Sequence, residues 1–110
     1  MKKNRGKKLS SFGEVYRRGS FLGYGVCGMI FYNNNHQGLR WGIAVNAKKW
    51  NRAVERNRIK RVFREAVYPL LPFIKDNLDI IFIFRGKKED IISEKIQKDI
   101  RMILNRKKIL

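Results

Sequence analysis

The sequence has 110 residues, enough for one hydrophobic core and too few for two domains. Lys and Arg number 26 against 9 Asp and Glu, which gives a formal net charge of +17, and 44% of the residues are hydrophobic. This composition excludes a purely disordered basic tail and indicates a folded domain that attracts nucleic acid or another polyanionic surface.

The cysteine count and the apolar runs constrain the compartment and the kind of site. With one cysteine, Cys27, the sequence excludes an internal disulfide and a four-cysteine metal site, and it suits a reducing compartment. The basic start is not followed by the apolar segment of about 7–15 residues that a signal peptide needs. The longest apolar run, 80–84, is far shorter than the ~20 residues of a membrane span. We therefore expect a cytoplasmic protein without membrane contacts.

The start of the chain predicts a basic arm followed by a short helix. Residues 1–8 carry five basic side chains and no apolar residue after the first Met, which predicts an arm that is mobile until RNA orders it. A serine can then cap a helix on which Phe12 and Tyr16 share a face, and Gly19 can end that helix. An aromatic stripe of this kind is usually part of a core.

The glycine-rich segment 23–28 matches the pattern G-x-G-x-x-G. A dinucleotide-binding turn requires a strand before this pattern and a helix after it. Here a helix-like segment precedes the glycines and the β-prone segment 29–32 follows them. We therefore expect the glycines to permit a turn and a close approach between strands.

The segment 39–46 alternates between apolar and small or polar residues, which predicts a strand. Its second face has little bulk, with Gly42 and Ala44. On the preceding strand Gly28 is in phase with Ile30. We expect a shallow trough where the two strands bring their small side chains together.

The segment 48–67 predicts an amphipathic central helix with a strongly basic side. Apolar residues recur at a spacing of three and four, so one face is expected to be core. Its basic residues between 52 and 64 are Arg52, Arg56, Arg58, Lys60, Arg61 and Arg64. Pairing with Glu55 or Glu65 would contribute only about 0.2–0.5 kcal/mol per pair. Uncompensated charge of this kind favours a bound polyanion over a solvated helix face.

The end of the chain predicts one strand and one helix. Prolines at 69 and 72 end the central helix, and the apolar run 80–84 is typical of a strand buried on both faces. Isoleucines and a leucine at helical spacing between 91 and 104 predict a last helix that covers the sheet. The order helix, strands, helix, strand, helix indicates a mixed sandwich in a single domain, residues 1–110.

The titratable side chains form no pattern typical of a nuclease site. A protein nuclease needs clustered carboxylates for metal ions or a histidine pair for acid–base chemistry. The sequence has one histidine, His36, in a polar turn, and nine scattered acids. We expect His36 to be a surface residue, and we expect no catalytic residue, metal site or cofactor on the protein itself.

The segment 56–61, with Arg-Asn-Arg and Ile-Lys-Arg, followed by Arg64-Glu65-Ala66, resembles the signature helix of the bacterial ribonuclease P protein family. The resemblance extends to the strands at 42–45 and 79–83 and to the aromatic residues near the start, so it covers nearly the whole chain. It implies an α+β sandwich of order α-β-β-β-α-β-α, similar to the ribosomal protein S5 domain 2-like fold. It also implies a left-handed βαβ crossover, although ~98% of such crossovers are right-handed.

The resemblance also implies partners and site residues. In this family a catalytic RNA subunit, which requires Mg²⁺, removes the 5′ leader from precursor tRNA, and the protein binds that RNA and the leader. The residues implied to bind RNA are Lys48, Lys49, Arg52, Arg56, Asn57, Arg58, Lys60, Arg61 and Arg64. The residues implied to line the leader cleft are Phe12, Tyr16, Gly28, Ile30, Ala44 and Asn46. Aromatic stacking on unpaired bases, worth roughly 1–3 kcal/mol per base, tolerates many leader sequences.

Three departures from the family pattern affect this assignment. One extra residue between Val45 and Arg56 shifts the register of Lys48 and Lys49, and Glu55 places an acid before the Arg-Asn-Arg triplet. Ile30 stands where many members carry a cleft tyrosine. The alternative functions are a structural RNA-binding module, such as a small ribosomal protein, and a DNA-binding helix. A helix-turn-helix would show two short helices joined by a tight turn, so we expect no DNA partner.

Overall fold

The chain folds into one mixed β-sheet with helices on both of its faces. The computed structural model describes residues 6–35 and 37–107, so the expected surface position of His36 lies outside the described residues. The strands, numbered in chain order, are β1 (Lys7–Lys8), β2 (Ser20–Tyr24), β3 (Cys27–Asn33), β4 (Arg40–Ala44) and β5 (Leu78–Phe84). The helices are α1 (Phe12–Arg18), α2 (Ala53–Val67) and α3 (Ser93–Arg106), with short 3₁₀ segments at Tyr68–Phe73 and Lys88–Asp90.

The sheet has the strand order β1-β4-β5-β3-β2. β4 runs parallel to both β1 and β5, while β3 is antiparallel to both β5 and β2. The expected α+β single domain with three strands between the first and the central helix is confirmed, and β4, α2 and β5 form the βαβ unit. The left-handed crossover stays a prediction.

A short strand near the start of the chain extends the predicted sheet. Lys7 N donates to Leu39 O at 2.7 Å, Leu9 N donates to Trp41 O at 2.9 Å, and Leu9 is buried. The prediction of a mobile arm over residues 1–8 is therefore wrong for Lys7 and Lys8, while residues 1–5 lie outside the described part of the chain. Backbone hydrogen bonds to Leu39 and Trp41 stabilise this strand. Such bonds do not depend on side-chain type, so the sequence pattern did not predict them.

The larger core lies between the sheet and the helices α2 and α3. Alternate residues of β3 and β5, such as Met29 and Phe82, meet Phe63 of α2 and Ile100 of α3, and all four are completely buried. Burying each of these side chains contributes about 1.5–3 kcal/mol relative to exposure. The amphipathic patterns of both helices are thus explained by one shared core.

A smaller core lies on the other face of the sheet, beneath α1. Val15 of α1 packs with Leu9, Ile30 and Ile81. Because β5 is buried from both sides, its continuous apolar run is explained as predicted. Among the helices of the described residues, α1 thus lies on one face of the sheet, and α2 and α3 lie on the other.

The segment 23–28 forms the turn of the β2–β3 hairpin. Gly25 has φ +57°, a conformation that L side chains rarely adopt. Val26 N donates to Asp99 Oδ2 at 2.9 Å, which ties the hairpin to α3. A strand, β3, follows the glycines, so the expectation of a turn is confirmed and a dinucleotide-binding turn is excluded.

Candidate nucleic-acid interface

Helix α2 presents its basic side chains around a buried apolar face. Ile59 and Phe63 are fully buried against the sheet, which fixes the rotation of the helix. No ion pair within residues 6–35 and 37–107 joins Glu55 or Glu65 to a basic side chain of α2. The positive charge of this helix is therefore uncompensated within the described chain, as the sequence predicted.

One side of α2 borders a cavity of about 550 Å³ beside β1 and β4, at one edge of the sheet, which we call the edge cavity. It opens beside the end of β1 and is lined in part by Gly42 of β4 and Leu71. Its lining also includes basic and aromatic residues, namely Lys7, Lys8, Phe12, Lys60, Arg64 and Tyr68. With Trp41, three aromatic residues thus line this cavity together with four cations.

The opposite side of α2 borders a smaller cavity of about 210 Å³ at the start of the helix. Arg52, Arg58 and Lys88 line it, together with the acid Glu55. The basic residues of α2 are therefore divided between two sides of the helix. Arg56, Lys60 and Arg64 are spaced four residues apart and lie along one stripe of the helix, whereas Arg58, two residues from Arg56, lies on the other side.

Two of the predicted RNA-binding side chains are bound to the protein backbone. Arg56 is half-buried, and its Nη1 donates to Trp50 O at 2.9 Å. Lys49 Nζ donates to Gly86 O at 2.9 Å and lies 5.7 Å from the centre of the Trp50 ring. The Lys49 bond connects the loop before α2 with the loop after β5, and the Arg56 bond connects α2 with the loop that precedes it. The spacing of these residues in the sequence predicts neither bond.

The turn that leads to this loop is built by Asn46. Its Oδ1 accepts hydrogen bonds from Lys48 N at 2.9 Å and Lys49 N at 3.3 Å. A side-chain oxygen that caps a turn in this way is typical of Asn. Asn46 remains exposed, and so does Lys48, so both side chains are open to solvent.

The predicted cleft aromatics lie one turn apart on α1. Their ring centroids are 6.4 Å apart, with the planes tilted by 46°. Phe12 is half-buried, and a Cβ at Gly42 would overlap its ring, so the glycine allows the ring to lie against β4. Tyr16 is 50% exposed. The Phe12 ring therefore packs against β4 and is also partly exposed to solvent, whereas half of the Tyr16 side chain is exposed.

The strand residues of the predicted cleft differ in their access to solvent. Ile30 is 8% exposed beneath α1, and Gly28 is buried, with the Phe21 ring 2.9 Å from the position that a Cβ would take. Ala44 is half-buried. The trough predicted between these two strands is wrong in one respect, because β5 lies between β3 and β4 and its Ile83 fills the space.

Cys27 is unsuited to chemistry. Burial raises the pKa of its thiol above the ordinary range, and the nearby Asp99 carboxylate adds to this effect. Within residues 6–35 and 37–107, no group of three or more His, Cys, Asp or Glu side chains could hold a metal ion. No helix of that part of the chain is long and apolar enough to cross a membrane.

Four residues that the sequence pattern did not predict belong to the candidate interface in the structure. Lys7 and Lys8 reach the edge cavity because β1 pairs with β4. Tyr68 follows Arg64 by four residues on the same side, a spacing that could have identified it. Phe21 is 53% exposed. Its pairing with Ile30, which the sequence does not predict, places it on the α1 face of the sheet.

Comparison with known proteins adds independent information. Residues 1–108 match the family model described as Ribonuclease P. The ribonuclease P protein component of Fusobacterium nucleatum is 38% identical over 101 residues, which cover 91% of this chain and 89% of that protein. The corresponding protein of Clostridium novyi is 35% identical over 109 residues, 96% of each. An RNase P protein structure from Staphylococcus aureus superposes with a TM-score of 0.76 at 28% identity, covering 93% of this chain and 95% of that one.

Proposed function

Because the chain belongs to the ribonuclease P protein family, we propose that it is the protein subunit of a ribonucleoprotein endoribonuclease that processes tRNA. In this role it binds the catalytic RNA and the 5′ leader of precursor tRNA in the cytoplasm. The RNA subunit, with its Mg²⁺, carries the hydrolysis that releases the leader and leaves the mature 5′ end.

The edge cavity is the observation that carries this proposal. Its lining combines the rings of Phe12 and Tyr68 with the charges of Lys60 and Arg64. Single-stranded RNA is bound by this combination, because bases stack on aromatic faces while cations attract the phosphates. Among the residues that the structure describes, no acidic side chain and no histidine lines this cavity, which favours binding over catalysis by the protein.

The proposed contacts fall into two groups. Stacking on unpaired leader bases is assigned to Phe12 and Tyr16, beside Ala44 and Asn46. Charge contacts with RNA phosphates are assigned to Lys48, Arg52, Asn57, Arg58, Lys60, Arg61 and Arg64. Such contacts position an RNA without reading its sequence, as a protein that serves many precursors requires.

Four further residues predicted from sequence are proposed to act mainly through the fold. Lys49 and Arg56 anchor the loop before α2 through the hydrogen bonds described above, and their charges add to the field that attracts RNA. Gly28 and Ile30 form the floor of the sheet beneath Phe21 and α1. Substituting these residues should therefore affect stability as well as RNA binding.

The test is the Mg²⁺ dependence of precursor tRNA cleavage by a bacterial ribonuclease P RNA, with and without the protein. Because the protein supplies positive charge near the RNA, we expect it to lower the Mg²⁺ concentration needed for half-maximal cleavage. A double variant, Lys60→Gln with Arg64→Gln, should lose much of this effect. A matched control, Lys98→Gln with Arg101→Gln, removes the same charge from the exposed side of α3. This control should lower the Mg²⁺ requirement as much as the natural protein does.

Two results would contradict the proposal. An unchanged Mg²⁺ dependence in the presence of saturating, folded protein would remove the assignment to this reaction and favour a structural RNA-binding role. Cleavage by highly purified protein alone, abolished by substituting one carboxylate, would place the chemistry on the protein.

A further inference from the structure

Phe21 lies on the same face of the sheet as Phe12 but at the opposite edge. The strand register places Gly42, Ile81, Ile30 and Phe21 in one row across β4, β5, β3 and β2. Phe12 covers the first member of this row, Gly42. Three strand spacings separate the two ends, which is roughly 14 Å. The two aromatic side chains thus mark both ends of one row.

The Phe21 ring is held in place by its neighbours although 53% of its surface is exposed. One ring edge lies against Gly28, where a Cβ would come within 2.9 Å of Cε1. Arg85 Cζ lies 5.9 Å from the ring centroid, and Arg85 Nη2 donates to Gly25 O at 3.2 Å. A Cβ at Gly23 would overlap the Arg85 guanidinium, so glycine there makes room for it. The result is an ordered aromatic ring beside a fixed cation.

An open strip of sheet connects this ring with the proposed leader cleft. The centre of the row is covered, because Val15 of α1 packs on Ile30 and Ile81. The neighbouring row runs from Ala44 through Ile83 to Gly28. Ala44 and Ile83 are only half-buried, whereas Gly28 is buried beneath the Phe21 ring, so this row is accessible beside α1 as far as that ring. A single strand of RNA could follow it from Phe12 to Phe21.

We propose that Phe21 and Arg85 form a second binding site for one unpaired nucleobase, with the base stacked on the Phe21 ring and its phosphate beside Arg85. This site rests on the proposed function, and it extends the leader path across the sheet. The net charge of +17 favours an anionic occupant. An aromatic ring joined to a guanidinium offers stacking and charge to any base, so the site selects for length of single strand and not for sequence.

The test uses the holoenzyme reconstituted with a bacterial ribonuclease P RNA and precursor tRNAs with a series of leader lengths. Dissociation constants are compared for the natural protein and for Phe21→Ala, Phe21→Leu and Phe21→Trp. The leucine variant still covers Gly28 but has no aromatic face, whereas the tryptophan variant keeps one. Phe73→Ala, at a 69% exposed phenylalanine that lines neither cavity, is the matched control.

We expect Phe21→Ala and Phe21→Leu to weaken binding of precursors with long leaders by a factor on the order of 5 to 150, the range for one lost stacked base. Binding of the shortest-leader precursor and of mature tRNA should be unchanged, and Phe21→Trp and Phe73→Ala should match the natural protein. If folded Phe21→Leu retains the full long-leader affinity, Phe21 only covers Gly28 and the site does not exist. If the natural protein itself shows no leader-dependent affinity, the proposed function fails instead.

Discussion

At the scale of single residues, Phe12 belongs to two surfaces at once. Its ring lies against Gly42 and also lines the edge cavity with Lys60 and Arg64. Stacking and charge therefore meet at Phe12, whereas Tyr16, one turn later on α1, is half exposed and does not line that cavity. The two aromatics should consequently respond differently to substitution.

Replacing Tyr16 by Ala should reduce the holoenzyme's preference for precursor over mature tRNA by about 1–3 kcal/mol if one stacked base is lost. Its stability should change little, because the ring is largely exposed. Phe12→Ala should lower both the preference and the thermal midpoint, because that ring also packs on β4. Thermal melting and paired dissociation constants separate the two effects. A folded double variant with an unchanged preference would show that α1 does not contact the leader.

A second prediction concerns the buried carboxylate of Asp79, which is 5% exposed. It accepts hydrogen bonds from Arg40 Nε at 2.7 Å, Arg40 Nη2 at 2.9 Å and Asn34 Nδ2 at 2.8 Å. Asp79→Ala leaves these donors without their acceptor and should lower the free energy of unfolding by about 1–3 kcal/mol. Urea unfolding measures this loss, and the exposed Asp76→Ala is the control. If Asp79→Ala and the natural protein had the same free energy of unfolding, water would replace the carboxylate as an acceptor without loss of stability.

The pairing of Arg40 with Asp79 determines over which pH range Arg40 stabilises the fold. The hydrogen bond to Asp79 raises the pKa of Arg40 above its ordinary value. A raised pKa means that the folded state binds this proton more tightly, so the stabilisation is present below the unfolded pKa and is lost only as pH rises through the folded one. The contribution of Arg40 should therefore be constant across the physiological range.

At the scale of elements, α2 brings two neighbouring arginines into different surroundings. Arg64 lines the edge cavity with Phe12, while Arg61 is exposed and lines neither cavity. Both lie on the side of α2 that the sequence predicted to be basic. Their separation by three residues places them on adjacent strips of the helix surface, where one can meet the leader and the other a folded RNA.

Arg61→Gln should therefore weaken assembly with the catalytic RNA and lower the log–log salt slope by about 0.7–0.9 if one phosphate contact is lost. At saturating protein, its preference for precursor tRNA should be unchanged. Arg64→Gln should weaken assembly and also lower that preference. Filter binding across a salt series measures the slope, with Lys98→Gln as the control. Identical behaviour of the two variants would mean that the edge cavity does not bind the leader.

The spacing of apolar residues predicted the helices and strands whose side chains face a core. It did not predict features that depend on backbone pairing, such as β1 and the order of the strands. The apolar stripes at Ile59 and Phe63 and at Ile96 and Ile100 identified α2 and α3 because burial requires them. β1 has two exposed lysines and no pattern. The site was predicted as a set of residue types. The position of β5 between β3 and β4, which separates Gly28 from Ala44, depends on contacts distant in sequence.

At the scale of the whole molecule, the net charge of +17 on 110 residues acts on folding as well as on binding. Like charges repel within the compact state and lower its stability, while the same field attracts RNA. The described ion pairs remove little of this charge: Glu14 with Arg17 and Arg18, Asp79 with Arg40, and Asp90 with Lys95. Added salt screens the repulsion and the attraction alike. It should therefore affect the free protein and the complex in opposite directions.

We accordingly predict that NaCl raises the thermal midpoint of the free protein and lowers its affinity for RNA over the same range of concentration. The first effect reflects weaker self-repulsion. The second reflects the smaller free-energy gain when counterions are released into a more concentrated salt solution. Calorimetry of the free protein and titration with the catalytic RNA measure the two responses. Sodium sulfate at equal ionic strength is the control, because a larger stabilisation by sulfate than by chloride would indicate anions bound at cationic sites in addition to screening. A midpoint that stays constant or falls with NaCl would mean that self-repulsion does not limit the stability of this fold, and the excess charge would then serve RNA binding alone.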